Sequence, residues 1–175
     1  MDNRQIEQIF YNLGEPVRSK FAGCFSADRL PQQFDRNKFF IINTIPSSVS
    51  EDGHWTVYFG SERGVHTEGS TGGQAEVPED NQGALFFDSF GNYPSNSDLI
   101  RKSLDIRNII YYNNFGCQSI FSNSCSIHCL VVSFLWSTGL SMSEILKRVY
   151  NTQTRNEVEN DVRAYMFMKD LYDRR

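Results

Sequence analysis

The residues of this chain whose types and spacing could do chemistry centre on Cys125. From Gln118 to Trp136 the sequence reads QSIFSNSCSIHCLVVSFLW. Ser122, Asn123 and Ser124 are helix-capping residue types, and Ile127, Leu130, Val131, Phe134 and Leu135 then recur at helical spacing, which predicts Cys125 in the first turn of an apolar helix. There the unpaired N–H groups and the positive end of the helix dipole favour an anion. With an imidazolium nearby, such a thiol falls into the range of roughly 3.5–7.5 found for activated cysteines. The competing reading is a small buried core residue, and Cys129, one turn deeper, is read that way.

A cysteine nucleophile needs a base, a group that orients the base, and donors for the developing oxyanion. Of the three histidines, His66 lies in a polar glycine-rich stretch, and His128 shares the helix of Cys125 and reads as a core or surface residue. His54 opens a strand beside Trp55, a rigid position from which a ring can face a helix N-terminus, and is the favoured base. Asp88 ends the run ALFFD and is equally a turn former or a carboxylate that holds the histidine tautomer. Gln118 carries an uncharged donor that could join the Cys125 N–H at an oxyanion; taken alone it would be a loop glutamine bonded to backbone. A zinc site from Cys117, Cys125, His128 and Cys129 would have a spacing that matches no standard module, so no metal or cofactor is expected.

The elements that must position these groups read as follows. Asn3 caps a first helix with the stripe Ile6, Ile9, Phe10 and Leu13, ended by Gly14 and Pro16. Residues Val17–Asn37 are mixed and turn-rich, with Phe21, Phe25 and Phe34 to pin an irregular segment to the core or to line a groove. Strands are predicted at Phe39–Ile45 and His54–Phe59, which should pair, then at Ala84–Phe90 and Asn108–Tyr112, with a short helix at Ser95–Leu104. Ser61–Gly83 is polar, glycine-rich and acidic and reads as a long mobile loop. Capping boxes at Ser141/Glu144 and Thr154/Glu157 start two last helices, the second with the stripe Val158, Val162, Tyr165 and Met166. Strands in the middle, helices at both ends and no regular alternation predict an α+β domain.

With 175 residues, 39% of them hydrophobic, the chain suits one domain rather than two. No apolar run approaches the roughly 20 residues that span a bilayer, and the opening MDNRQIEQIF lacks signal-peptide order, so a protein that is neither secreted nor membrane-bound is expected. Four cysteines without a disulfide-framework pattern point to a reduced setting. A net charge of −4 argues against a nucleic-acid footprint over the whole surface and leaves room for a local basic patch.

Taken together, GHW at 53–55, LFFDSFG at 85–91 and QSIFSNSCSIHC at 118–129 resemble, in that order, the adenovirus maturation protease (adenain) family and the similar enzymes of virophages and Polinton-type elements. IEQIFYNLG and FAGCFSADRLPQQF are similar to the family's opening helix and aromatic segment. The resemblance implies a papain-like, adenain-like fold in which a central mixed sheet packs on a buried helix carrying the nucleophile. It implies catalytic roles for His54, Asp88, Gln118 and Cys125, and cleavage of viral capsid and core precursors at glycine-containing sites, in the virion and the infected cell. Ser122 and Cys129 also match family positions. The sequence departs at Ser126, where the family usually has glycine, at Asp88 in place of the adenovirus glutamate, and in a longer segment between His54 and Asp88, consistent with an insertion at 61–83. Arg107 stands near the position of the family cysteine that takes a disulfide-bonded activating peptide; Cys117 is the cysteine nearest to it. Activation by such a peptide or by DNA is therefore not expected. Two alternatives are a deconjugating protease for SUMO-type modifiers, which has similar HW, DS and Q…C motifs, and an inactive relative kept as a binding module.

Overall fold

A computed structural model describes residues 1–31, 35–49, 53–60, 83–94, 100, 109–150 and 155–174. Three runs of mostly large apolar residues, FFIIN, WTVYF and ALFFD, form β2 (Phe39–Asn43), β3 (Trp55–Phe59) and β4 (Ala84–Asp88), and every residue in them is buried. Strands covered on both faces read as continuous apolar runs, and these do. With β1 (Phe21–Ser26) and β5 (Ile109–Tyr112) they make a five-stranded mixed sheet in the order β1-β2-β3-β4-β5. The inner pairs β2/β3 and β3/β4 are antiparallel, and the outer pairs β1/β2 and β4/β5 are parallel.

The pleat divides the core. Phe39, Ile41, Trp55, Val57, Phe59, Leu85 and Phe87 face a large helical cluster, whereas Phe40, Ile42, Tyr58, Ala84 and Phe86 face a smaller one that includes Ala27 and Ile100. The helical face is covered by α1 (Asn3–Leu13), α2 (Val17–Lys20), α3 (Cys125–Ser137), α4 (Met142–Val149) and α5 (Glu157–Asp173). Buried side chains from all five join that cluster, and α3 lies at its centre, against β3 and α5. The chain is thus an α+β fold, as its strand and helix patterns predict, with β2 and β3 paired as expected.

Several local expectations shift. The cap of α1 is Asp2 rather than Asn3: its carboxylate accepts from Gln5 N at 2.8 Å while Gln5 Oε1 accepts from Asp2 N at 2.9 Å. The segment expected to be irregular holds α2 and a sheet-edge strand, β1, whose register slips between Phe21 and Cys24 where Gly23 takes a φ of 136°. That irregularity hides the strand's period of two. Phe21 and Phe25 do pin it, by ring contacts to Phe10 and Phe39 on one face and Phe40 on the other. The box at Ser141/Glu144 forms as predicted. α5 is capped by Asn156, which accepts from Glu159 N at 3.1 Å; Thr154 lies outside the described residues.

The stripe assigned to α5 is on the wrong side. Val158, Val162, Tyr165 and Met166 are exposed, and the helix buries Asn160, Ala164 and Met168 instead. Facing α3 calls for small or flexible side chains, not the most apolar ones. Phe34, His66, Arg107, the segment 61–82 and, apart from Ile100, the helix predicted at Ser95–Leu104 fall outside the described residues. Among those that are described, no helix is long and apolar enough to cross a membrane.

Candidate active site

His54 immediately precedes β3, and its carbonyl accepts from Thr44 N at 2.9 Å, which anchors it to the end of β2. Gly53 is required before it, since an added Cβ would overlap the Asn43 side chain. Across the sheet, Asp88, the last residue of β4, stands opposite Thr56. Two residues back along β3, His54 shares the face of Thr56, so the antiparallel register makes His54 and Asp88 diagonal neighbours. The His54 ring closes that diagonal, with Nε2 2.7 Å from Asp88 Oδ1. Phe90 stacks on the imidazole at 4.6 Å between centroids.

Asp88 is held from three directions. Its Oδ1 accepts from Phe90 N at 2.7 Å, its N–H donates to Asn113 Oδ1 at 2.9 Å, and its carbonyl accepts from Asn113 Nδ2 at 2.5 Å. Asn113, directly after β5, is buried and thereby locks the strand end that carries the carboxylate. Gly91 then turns the chain with a φ of 73°, and a Cβ there would sit 2.5 Å from the Phe115 carbonyl carbon. This is the positive-φ position that only glycine fills without strain.

Cys125 is the first residue of α3, and no side chain caps that terminus, which leaves the first-turn N–H groups and the dipole open toward the thiol. Burial pushes the Cys125 thiol up. A hydrogen bond to His54, backbone hydrogen bonds from Trp55 and Ser126, and the charge of the imidazolium outweigh that and bring it below its ordinary value of 9.0. Burial pulls His54 down, but hydrogen bonds and charge from Asp88 and Cys125 win and raise it to about 9. The two shifts run in opposite directions, as they do when a thiolate and an imidazolium stabilise each other. The other cysteines lack such a partner: burial raises the thiols of Cys24, Cys117 and Cys129 well above the usual range.

Gln118 is buried with its amide oriented. Ser89 Oγ donates to Oε1 at 2.6 Å, and Nε2 donates to the Ser122 carbonyl at 2.8 Å. The amide has a second N–H to donate, in a residue that shares a cleft with Cys125. Gln118, Ser122, Cys125, His54, Trp55 and Phe90 line one cleft of about 490 Å³.

Of the four residues singled out in the sequence, His54, Gln118 and Cys125 thus line one cleft, and Asp88 reaches it through its bond to the His54 ring. His128 does not join them. It is fully buried beneath the helix start, with Nδ1 2.9 Å from Tyr150 Oη and Nε2 2.8 Å from Asp161 Oδ1, so both nitrogens are taken. Cys129 is also in the core, where its thiol donates to the Trp55 carbonyl at 3.3 Å. Among the described residues no three His, Cys, Asp or Glu side chains gather as a metal site. Sequence reasoning missed Ser89, Asn113 and Asp161. Ser89 had a signal, since it adjoins Asp88 in FFDSFG; a lone Asn after a strand and a polar residue on a helix carry none.

The arrangement supplies a thiol made more acidic than usual, an adjacent proton carrier, an orienting carboxylate and an amide donor in the same cleft. That set can form and resolve a thioester. No protein-family model matches the chain, and no curated protein matches it.

Proposed function

We propose that the protein is a cysteine endopeptidase of the adenain type, with the papain-like layout of a buried nucleophile helix against a mixed sheet. The observation that carries this reading is the single hydrogen-bonded run Asp88–His54–Cys125, with the thiol lowered and the imidazole raised, in the cleft that also holds Gln118. Cys125 Sγ attacks the scissile carbonyl carbon. The C–S bond forms, and the carbonyl electrons move onto oxygen, which takes hydrogen bonds from the Gln118 amide and the Cys125 N–H. His54 gives its proton to the departing amine as the C–N bond breaks. It then removes a proton from water, which attacks the thioester and releases the acid and the thiolate. Asp88 holds the ring and stabilises its cation.

The motif resemblance supports precursor proteins of a viral capsid or core as substrates, cut at glycine-containing sites in the virion and the infected cell. The test is mass spectrometry of a capsid precursor coexpressed with the wild-type chain or with Cys125→Ala. A parallel arm uses a SUMO-type precursor. Cysteine-dependent cleavage of the capsid protein is expected. Cleavage of the modifier alone would move the assignment to deconjugation, and cleavage of neither, by a folded chain, would favour a binding module.

A further inference from the structure

One partly buried polar cluster lies outside the reacting groups. Asp161 projects from α5 and gathers three partners. Its Oδ1 lies 2.8 Å from His128 Nε2 and accepts from Ser124 Oγ at 2.6 Å, and its Oδ2 accepts from Ser119 N at 3.2 Å. Ser122 Oγ, 2.8 Å from Ser124 Oγ, donates to the Ser119 carbonyl at 3.1 Å. Burial would raise the Asp161 carboxyl, but hydrogen bonds from His128 and Ser124 hold it below the usual carboxylate value. His128 is braced from behind by the fully buried Tyr150 hydroxyl and is stacked on that ring at 5.4 Å between centroids.

The geometry gives this cluster a purpose. Gln118 and Cys125 are joined by a loop without regular structure, and Asp161 grips that loop at Ser119 and Ser124, next to each of them. The Gln118 amide is itself bonded to Ser122 within the same loop. Oxyanion donors work only when held about 2.7–3.1 Å from the oxygen, and a misplacement of about 1 Å costs on the order of 100-fold. We propose that Asp161, braced by His128, is a positioning residue that sets the spacing between the Gln118 amide and the N-terminus of α3, and so the oxyanion site. This rests on the acyl-transfer reading above.

The test uses Asp161→Asn, which keeps the volume and one acceptor, and Ser124→Ala, which removes the hydroxyl contacts to Asp161 and Ser122 and leaves the His128–Asp161 pair in place. Each is compared with wild type in kcat and KM on a glycine-containing peptide, in the rate of Cys125 alkylation by iodoacetamide, and in affinity for a peptide aldehyde ending in glycine. The aldehyde adds the Cys125 S–H across its C=O: a C–S bond forms, the π bond breaks, and the oxygen takes the proton in the oxyanion site. Asp161→Asn is expected to lower kcat by about 10- to 100-fold and weaken the aldehyde by the same factor. KM and alkylation should stay within about twofold, because neither depends on oxyanion donors. Ser124→Ala should show a smaller loss of the same pattern.

A folded Asp161→Asn with wild-type turnover and aldehyde affinity would overturn the proposal. So would alkylation that falls in step with turnover, since the effect would then lie on the nucleophile. If Asp161→Asn fails to fold, unchanged turnover and aldehyde affinity in Ser124→Ala overturn it. A wild-type chain that is alkylated rapidly at Cys125 yet neither cleaves peptide nor binds the aldehyde would overturn the acyl-transfer reading itself, and this proposal with it.

Discussion

Ser89 Oγ donates to Gln118 Oε1 at 2.6 Å, and this bond, with the one from Nε2 to the Ser122 carbonyl, orients the amide in the cleft it shares with Cys125. With the oxygen tied down, the NH₂ group must point toward the loop and the cleft. The Ser89 carbonyl also accepts from Cys117 N at 2.6 Å and Gln118 N at 3.0 Å, so the residue after Asp88 fixes both the backbone and the side chain of Gln118. Ser89→Ala should therefore fold, with a buried acceptor left unpaired at a cost of about 1–3 kcal/mol. It should also lower kcat, by less than Gln118→Ala, for which about 10²- to 10³-fold is expected. Steady-state rates and urea unfolding of the two variants measure this, and a Ser89→Ala enzyme at full rate would refute the orienting role.

Cys125 and His54 titrate as a pair. The pH range in which both are charged runs from the lowered thiol pKa to the imidazole value of about 9. Below it the sulfur is protonated; above it the imidazolium loses the proton that the leaving amine requires. Turnover should thus rise as pH passes the lowered thiol value and fall as pH passes about 9. Asp88→Asn removes a charge that raises His54, so its alkaline limb should move to lower pH, with kcat down by as much as roughly 10⁴-fold. Limiting iodoacetamide at neutral pH should label Cys125 before Cys24, Cys117 or Cys129, and His54→Ala should slow that labelling. An alkaline limb that stays in place in Asp88→Asn would show that the carboxylate does not act on the ring.

How much of this was legible in the sequence depends on how local the cause was. β2, β3 and β4 are continuous apolar runs because both faces are covered, and such runs need no partner to be recognised. The helix of Cys125 announces itself through its apolar density. β1 was not legible, because the bulge at Gly23 breaks its alternation. Neither was the buried face of α5, where Asn160, Ala164 and Met168 were chosen by what α3 and the loop before it could accommodate. At the candidate site, the residues with intrinsic chemistry could be singled out. Ser89, Asn113 and Asp161 matter only through neighbours 29, 25 and 42 positions away, and no local pattern encodes those distances.

The two faces of α5 make opposite predictions about stability. Met168 is nearly buried in the main core, so Met168→Ala should cost about 2–5 kcal/mol, whereas Val162→Thr, on the exposed side, should stay within about 0.5 kcal/mol. Chemical denaturation of both variants decides it. A larger loss at Val162 would mean that the stripe read from the sequence is buried after all.

Activation should differ from the adenovirus pattern of a disulfide-bonded peptide and DNA. Cys117 is fully buried, and burial, then the charges of Asp88, Glu157 and Asp161, push its thiol far above the usual value, so almost no thiolate exists there to exchange with a peptide disulfide. A bonded peptide would also have to enter the core beside Gln118, whose amide is already committed to Ser89 and Ser122. The charge balance points the same way for DNA, because binding to the phosphate backbone scales with the Lys and Arg that neutralise it, and the chain has 17 of these against 21 acidic residues. Initial rates on a glycine-containing peptide should change by less than about twofold when duplex DNA is added across a salt series, since few phosphates can be neutralised. Cys117→Ala should keep that basal rate, with and without a peptide thiol. A large stimulation by DNA that fades with salt would refute the charge argument, and activity that requires the peptide thiol and vanishes in Cys117→Ala would mean that the buried thiol opens in solution.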